Sequence, residues 1–258
     1  MLGYRAVAPL PAQLLFACPP LAETTWALLR NAIQEINSHN ASGLSFEELY
    51  RNAYHMVVYK FGDRLYQGLV QVEREHLSGV AGRIESVGSE TFLRTLKSEW
   101  EAHVKSVAMI RDILMYLDRI YVRQQGLTPV HSLGLRLWRA VVVGAPPIRE
   151  RLVSLFLSEV ARERRGERGD RSLLRATSQM LEDLGRDEYE AVLEEPYIAA
   201  TREFYAAEGA AREQADDVPS YLKHVEARLS EEADRVHALL ASFSEAKVAG
   251  ALEAELVA

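Results

Sequence analysis

Apolar residues recur at steps of three and four along almost the whole chain. Trp26, Leu29, Ile33 and Ile36 make the first such stripe, a spacing that lines side chains along one face of a helix. Gly43 closes that stretch. Ser45 stands three residues before Glu48, a capping-box order that predicts a second helix running to about Lys60. Leu65, Leu69, Val72 and His76 follow Gly62 as a third stripe. A long pattern opens at Ser89 and passes through Phe92, Leu96, Val104, Val107, Ile110, Leu114 and Leu117 to Gly126. Its length predicts a kink or a break. Thr128 and Pro129 have the order of a cap and a first helical turn, and Pro146 with Pro147 stop the helix that follows.

The second half repeats this character. Residues Ile148 to Arg165 predict a helix with a basic last turn, which suits the negative end of its dipole. Asp170 caps the next, through Leu173, Leu174, Met180 and Leu184 to Gly185. Pro196 is expected to open a helix through Tyr197, Phe204 and Tyr205, and Pro219 another through Leu222, Val225 and Leu229. Val248 to Val257 is a last apolar stripe. No alternating β-branched run bounded by hairpin turns interrupts the series. The pattern predicts an all-α chain of nine or ten helices. No stretch repeats in sequence, but the helix–turn cadence is that of a stacked-helix solenoid.

Composition fits that picture. Of 258 residues, 48% are hydrophobic and 26% charged, enough to bury a core. The 30 Lys and Arg against 37 Asp and Glu leave a net charge of −7, which excludes a general nucleic-acid coat. No segment approaches the ~18 uninterrupted apolar residues of a membrane span. The single cysteine, Cys18, cannot form an internal disulfide or a zinc site by itself, and fits a reducing compartment. The first residues carry Arg5 and an apolar stretch from Leu14 to Cys18, as a secretory signal would. Pro9, Pro11, Pro19, Pro20 and Gln13 interrupt it, so an extended or disordered leader is expected over residues 1–23.

Residues able to do chemistry are sparse. Glu73 and His76 form a Glu-x-x-His step, which di-metal bundles use twice, and only Asp234-x-x-His237 echoes it. No metal or cofactor is expected. There is no phosphate loop, and Cys18 has no base positioned beside it. Arg162, Arg164, Arg165, Arg168 and Arg171 alternate with Glu163, Glu167 and Asp170, which predicts a solvated turn between helices rather than an anion site. An enzyme is not expected.

What stands out is a row of rings. Phe46, Tyr50 and Tyr54 are spaced by four on the second predicted helix, while Leu49, Ala53 and Met56 occupy the neighbouring face. The Leu-Ala-Met face is a sufficient core. Periodicity leaves the ring-bearing face open to two readings, the edge of a wide core stripe or a surface kept for a partner. Interfaces enrich tyrosine, whose ring buries area while its hydroxyl tolerates water.

Gly43-Leu44-Ser45-Phe46-Glu47-Glu48-Leu49-Tyr50-Arg51-Asn52-Ala53-Tyr54, preceded by Thr25 to Ile33, resembles the amino-terminal region of the cullin family. Arg162-Glu163-Arg164-Arg165-Gly166-Glu167 with Asp170-Arg171 is similar to a charged turn of the same family. Glu195-Pro196-Tyr197, Phe204-Tyr205, Ser220-Tyr221-Leu222 and Val225 to Leu229 follow in the family's order. Leu44 to Tyr54 and Met109 to Arg119 look most like the cullin-3 class, which recruits BTB-domain adaptors. The resemblance spans residues 24–258.

It implies stacked cullin repeats forming an elongated, solenoid-like stalk. The first, adaptor-binding repeat would cover 24–147 and an incomplete second 148–258, without the carboxy-terminal half that holds the RING subunit. It further implies a non-catalytic scaffold of a cullin–RING E3 ubiquitin ligase in the cytoplasm and/or nucleus, paired only through a dimeric adaptor. The residues that match the family's adaptor contacts are Leu44, Phe46, Glu47, Tyr50, Arg51 and Tyr54, with Lys60 as a rim contact and Tyr116 on a later helix. Phe46, Tyr50 and Tyr54 would be anchors, and Glu47 and Arg51 rim charges that set register more than affinity. His55, Tyr59, Phe61 and the leader differ from the family pattern. The alternative expectation is a truncated, cullin-like module that acts as a decoy or binds a non-BTB partner.

Overall fold

The structure, a computed structural model, describes residues 19–213 and 217–256. Most of the expected leader, Cys18 included, lies outside them. Among the described residues every regular element is helical, and no helix is long and apolar enough to cross a membrane. Helix α1 spans Pro19–Asn37, so it begins inside the segment expected to be extended. Prolines fit its first turn because the N–H groups there have no helical partner to lose. Helices α2 (Phe46–Val58), α3 (Gly62–Ser86) and α4 (Ser89–Ile113) follow.

The long apolar pattern breaks at Leu114, as its length predicted. After the break come α5 (Met115–Leu117), a π-turn over Asp118–Val122 and α6 (Arg123–Gln125). Gly126, at φ 62, closes this stretch, and Leu127 N–H donates to the Val122 carbonyl at 3.0 Å. Helix α7 (Val130–Trp138) runs into a second π-turn over Arg139–Val143. Thr128 does not cap α7. Its first N–H, on Val130, is satisfied at 2.9 Å by the Asp118 carboxylate, and the Thr128 hydroxyl accepts from Arg136.

Helix α8 (Pro146–Arg164) starts on the two prolines, and α9 (Arg171–Leu184) is capped by Asp170, whose carboxylate accepts from Leu173 N–H at 3.1 Å. Then come α10 (Arg186–Tyr189), a third π-turn over Glu190–Glu194, α11 (Glu195–Glu213), α12 (Val218–Leu239) and α13 (Glu245–Leu256). Pro196 stands in the first turn of α11, as the expected helix through Tyr197, Phe204 and Tyr205 required, but that helix continues a helical run. The proline follows directly on a widened turn that already interrupts the regular ladder, where a missing N–H costs little.

The chain divides into two compact units. Among the described residues, one comprises 19–80 and 101–141, the other 81–100, 142–213 and 217–256. The first unit buries Trp26, Leu29, Ile33 and Ile36 of α1 with Leu49, Ala53 and Met56 of α2 and Leu65 and Leu69 of α3. Gly68 permits the approach of α1 to α3, since a Cβ there would meet the Trp26 indole at 2.3 Å. The second unit is built on Ile148, Leu152, Phe156 and Val160 of α8, with Tyr189, Tyr197 and Tyr205 fully enclosed.

Candidate partner-binding surface

Helix α2 is set up locally at both ends. The Ser45 hydroxyl accepts from Glu48 N–H at 3.4 Å, and Glu47 and Glu48 lie in the first turn, where the dipole favours negative charge. Leu49, Ala53, Met56 and Val57 are buried and form its inner face. The helix ends two residues before the expected Lys60. Lys60 takes a left-handed φ of 70 and donates to Val57 O at 3.1 Å, while Phe61 N–H reaches back to Met56 O at 2.8 Å. Those two bonds are a Schellman closure, with lysine in the place glycine usually fills.

The outer face carries the rings. Phe46 and Tyr54 are each 37% exposed, and Tyr50 is half-buried between them. The face is open, not the sealed edge of a core. Tyr116 arrives from α5, half-buried, with its ring 4.5 Å from that of Tyr54 and tilted by 53°. Leu44 is half-buried just ahead of the cap, and Lys60 is exposed at the far end of the helix. Glu47 and Arg51 form an exposed ion pair at 2.5 Å, which stabilises the helix little but offers both charges to a partner. His55 meets the Tyr54 ring edge-on at 5.7 Å.

Two exposed apolar residues on α2 and α5 were missed from sequence. Val58, 41% exposed, continues the four-residue step beyond Tyr54, a signal that was available. Met115, 38% exposed, reaches the surface through the break at Leu114, which periodicity does not locate. Hydrocarbon and phenol dominate the strip, so it can bury area and offer hydroxyls, but holds no paired acid and base.

Of the two acid-x-x-His steps, His76 is half-buried and Asp234 and His237 are exposed. Glu73 is buried and accepts from the Asn37 amide at 2.7 Å. His103 stacks on Trp138 at 5.2 Å, its Nε2 lies 3.1 Å from Gly134 O, and burial holds its imidazole down at about 4. Among the described residues no group of three His, Cys, Asp or Glu is placed to hold a metal.

The arginine-rich turn is only partly the solvated turn that was expected. Arg165 and Arg168 are exposed, but Arg164 is buried. It donates twice to the Glu232 carboxylate, at 2.6 and 3.2 Å, and once to the Thr201 hydroxyl at 2.6 Å. Tyr197 and Tyr205 hydroxyls also donate to Glu232, each at 2.8 Å, and Arg235 completes the set. Burial pushes the Glu232 carboxyl up, but the two arginines overcome that and leave it below the ordinary carboxylate range.

Residues 26–258 match the cullin family in its alpha solenoid domain. Cullin-3B of Arabidopsis thaliana is 46% identical over 240 residues, which cover 93% of this chain and 33% of that protein. Cullin-3 of Dictyostelium discoideum is 43% identical over 246 residues, 94% of this chain and 32% of that protein. Cullin-4A of Mus musculus is 34% identical over 238 residues, covering 91% and 31%. The chain thus spans about a third of the length of these relatives. By sequence the chain belongs to the cullin family, and it is cullin-3-like.

Proposed function

We propose that this chain is the substrate-recruiting part of a cullin–RING ubiquitin ligase scaffold, and that it docks BTB-domain adaptors through the outer face of α2 together with Tyr116. One observation carries the reading. Phe46 and Tyr54 stay more than a third exposed on a helix whose opposite face already supplies its share of the core. Exposed rings gathered on one stripe and rimmed by an ion pair have the make-up of an interface hot spot. The choice of BTB-domain adaptors is supported by the likeness to cullin-3 proteins. The role is that of a scaffold, with no catalytic step assigned to its own side chains.

The test is to mix the purified chain with a BTB-domain adaptor and separate the products by size-exclusion chromatography. Co-elution is expected, and it should disappear in Phe46→Ala/Tyr54→Ala. If the adaptor elutes alone while other proteins are retained from a cell lysate, the rival reading of a decoy or a non-BTB partner replaces this one.

A further inference from the structure

The Asn37–Glu73 pair is one hydrogen short. Asn37 Nδ2 donates to Glu73 Oε1 at 2.7 Å, yet Glu73 Oε2 and Asn37 Oδ1 are both buried without a partner. Two orphan acceptors on two side chains that are already joined lack a single donor. A proton on Glu73 Oε2 supplies it, because a carboxylic acid gains an O–H donor that a carboxylate does not have. The surroundings favour the same form. Glu73 faces a small cavity lined by Leu69 of α3, Val107 and Ile110 of α4, and Val130, Leu133 and Gly134 of α7, where an ionised carboxylate would be costly.

We propose that Glu73 is a proton-linked latch of the first unit: as a neutral acid it fastens α3 to the end of α1 through Asn37, and on ionisation it loosens that junction by drawing water toward the buried charge. Burial pushes the Glu73 carboxyl up to about 7, against the downward pull of the Asn37 amide. Most charged groups of the surrounding elements lie at exposed positions of their helices, Arg74, Glu75 and Arg111 among them. Those that bear on the pair include His76 one turn further along α3, His103 on α4, His131 on α7, Asp118 of the π-turn, bonded to the start of α7, and the exposed Glu35 on α1. His103 is held neutral by its own burial and brings no positive charge.

The junction lies just ahead of the candidate docking helix. Residues 38–45 lead from Asn37 to α2, and the Ser106 hydroxyl adds a 3.3 Å bond to Ile36 O beside it. Ionisation of Glu73 therefore frees the segment that leads into α2, whatever that helix binds.

The sign is set by linkage. A carboxyl whose folded-state value lies above its ordinary 4.5 makes the folded state the better proton binder. Stability then falls as pH rises from the unfolded value to the folded one, and levels off above it. The test compares denaturant unfolding of the full chain with that of Glu73→Gln, whose amide reproduces the neutral, fully bonded pair at every pH. Between about pH 5.5 and about pH 8.5 the wild type should lose about thirtyfold in its folding equilibrium relative to Glu73→Gln. Parallel stability curves over that range overturn the latch. The wild type alone carries a second readout: its Glu73 carboxyl carbon resonance should titrate near 7, and a midpoint below about 5 rejects the proposal even if the variant does not fold.

Discussion

His39 and Lys60 close the first two helices in a conformation that few side chains favour. His39 has φ 60 and Lys60 φ 70, and each stands at the turn where the chain leaves a helix by a Schellman closure. A left-handed backbone costs a non-glycine residue roughly 1–2 kcal/mol, part of which glycine returns through its freer unfolded chain. His39→Gly and Lys60→Gly should each raise stability, by about 0.5–1 kcal/mol in urea unfolding. A loss of stability in both would show that these side chains make contacts worth more than the backbone strain. Glycine is absent at both turns, so sequence alone put the end of α2 two residues too late. Where glycine is present, as at Gly126, the end of the helical stretch was legible.

At the scale of the element, α2 depends on its cap. Ser45→Ala should cost about 1 kcal/mol and speed hydrogen exchange at the Glu48 amide, because the first turn loses its side-chain acceptor. Unchanged exchange would mean that packing alone holds the turn carrying Phe46. The inner stripes of α1, α2 and α8 were readable because each falls on one face of a regular helix. The π-turns were not, since a five-residue widening leaves no mark in the composition. Tyr116 beside Tyr54 depends on the break at Leu114, and so is a tertiary fact that spacing does not contain. Arg164 was misjudged for a different reason. It continues the step of four through Ile148, Leu152, Phe156 and Val160, but an arginine among acids is by default assigned to solvent.

Across the whole molecule, the two units rest on opposite uses of buried charge. In the first, Glu73 is accommodated as a neutral acid. In the second, Glu232 is ionised and surrounded by two arginines and two phenols. Removing that one charge leaves Arg164 buried without its counter-ion and Arg235 with Glu163 alone. Glu232→Gln should therefore destabilise the protein by about 3–5 kcal/mol in chemical denaturation. A cost under about 1 kcal/mol would show that water already enters the cluster. The surface proposed for a partner asks less of the fold, since Tyr54 is 37% exposed and can be shortened without opening the core.

That exposure makes the docking role directly measurable. Isothermal titration of a BTB-domain adaptor into the wild type and into Tyr54→Ala, each first shown to be equally helical by circular dichroism, is the most direct test. Loss of the central ring should weaken binding by about 2 kcal/mol, or about thirtyfold in Kd. Equal affinities for the two proteins, or no heat of binding with the wild type, would contradict the assignment of this face to adaptor recruitment.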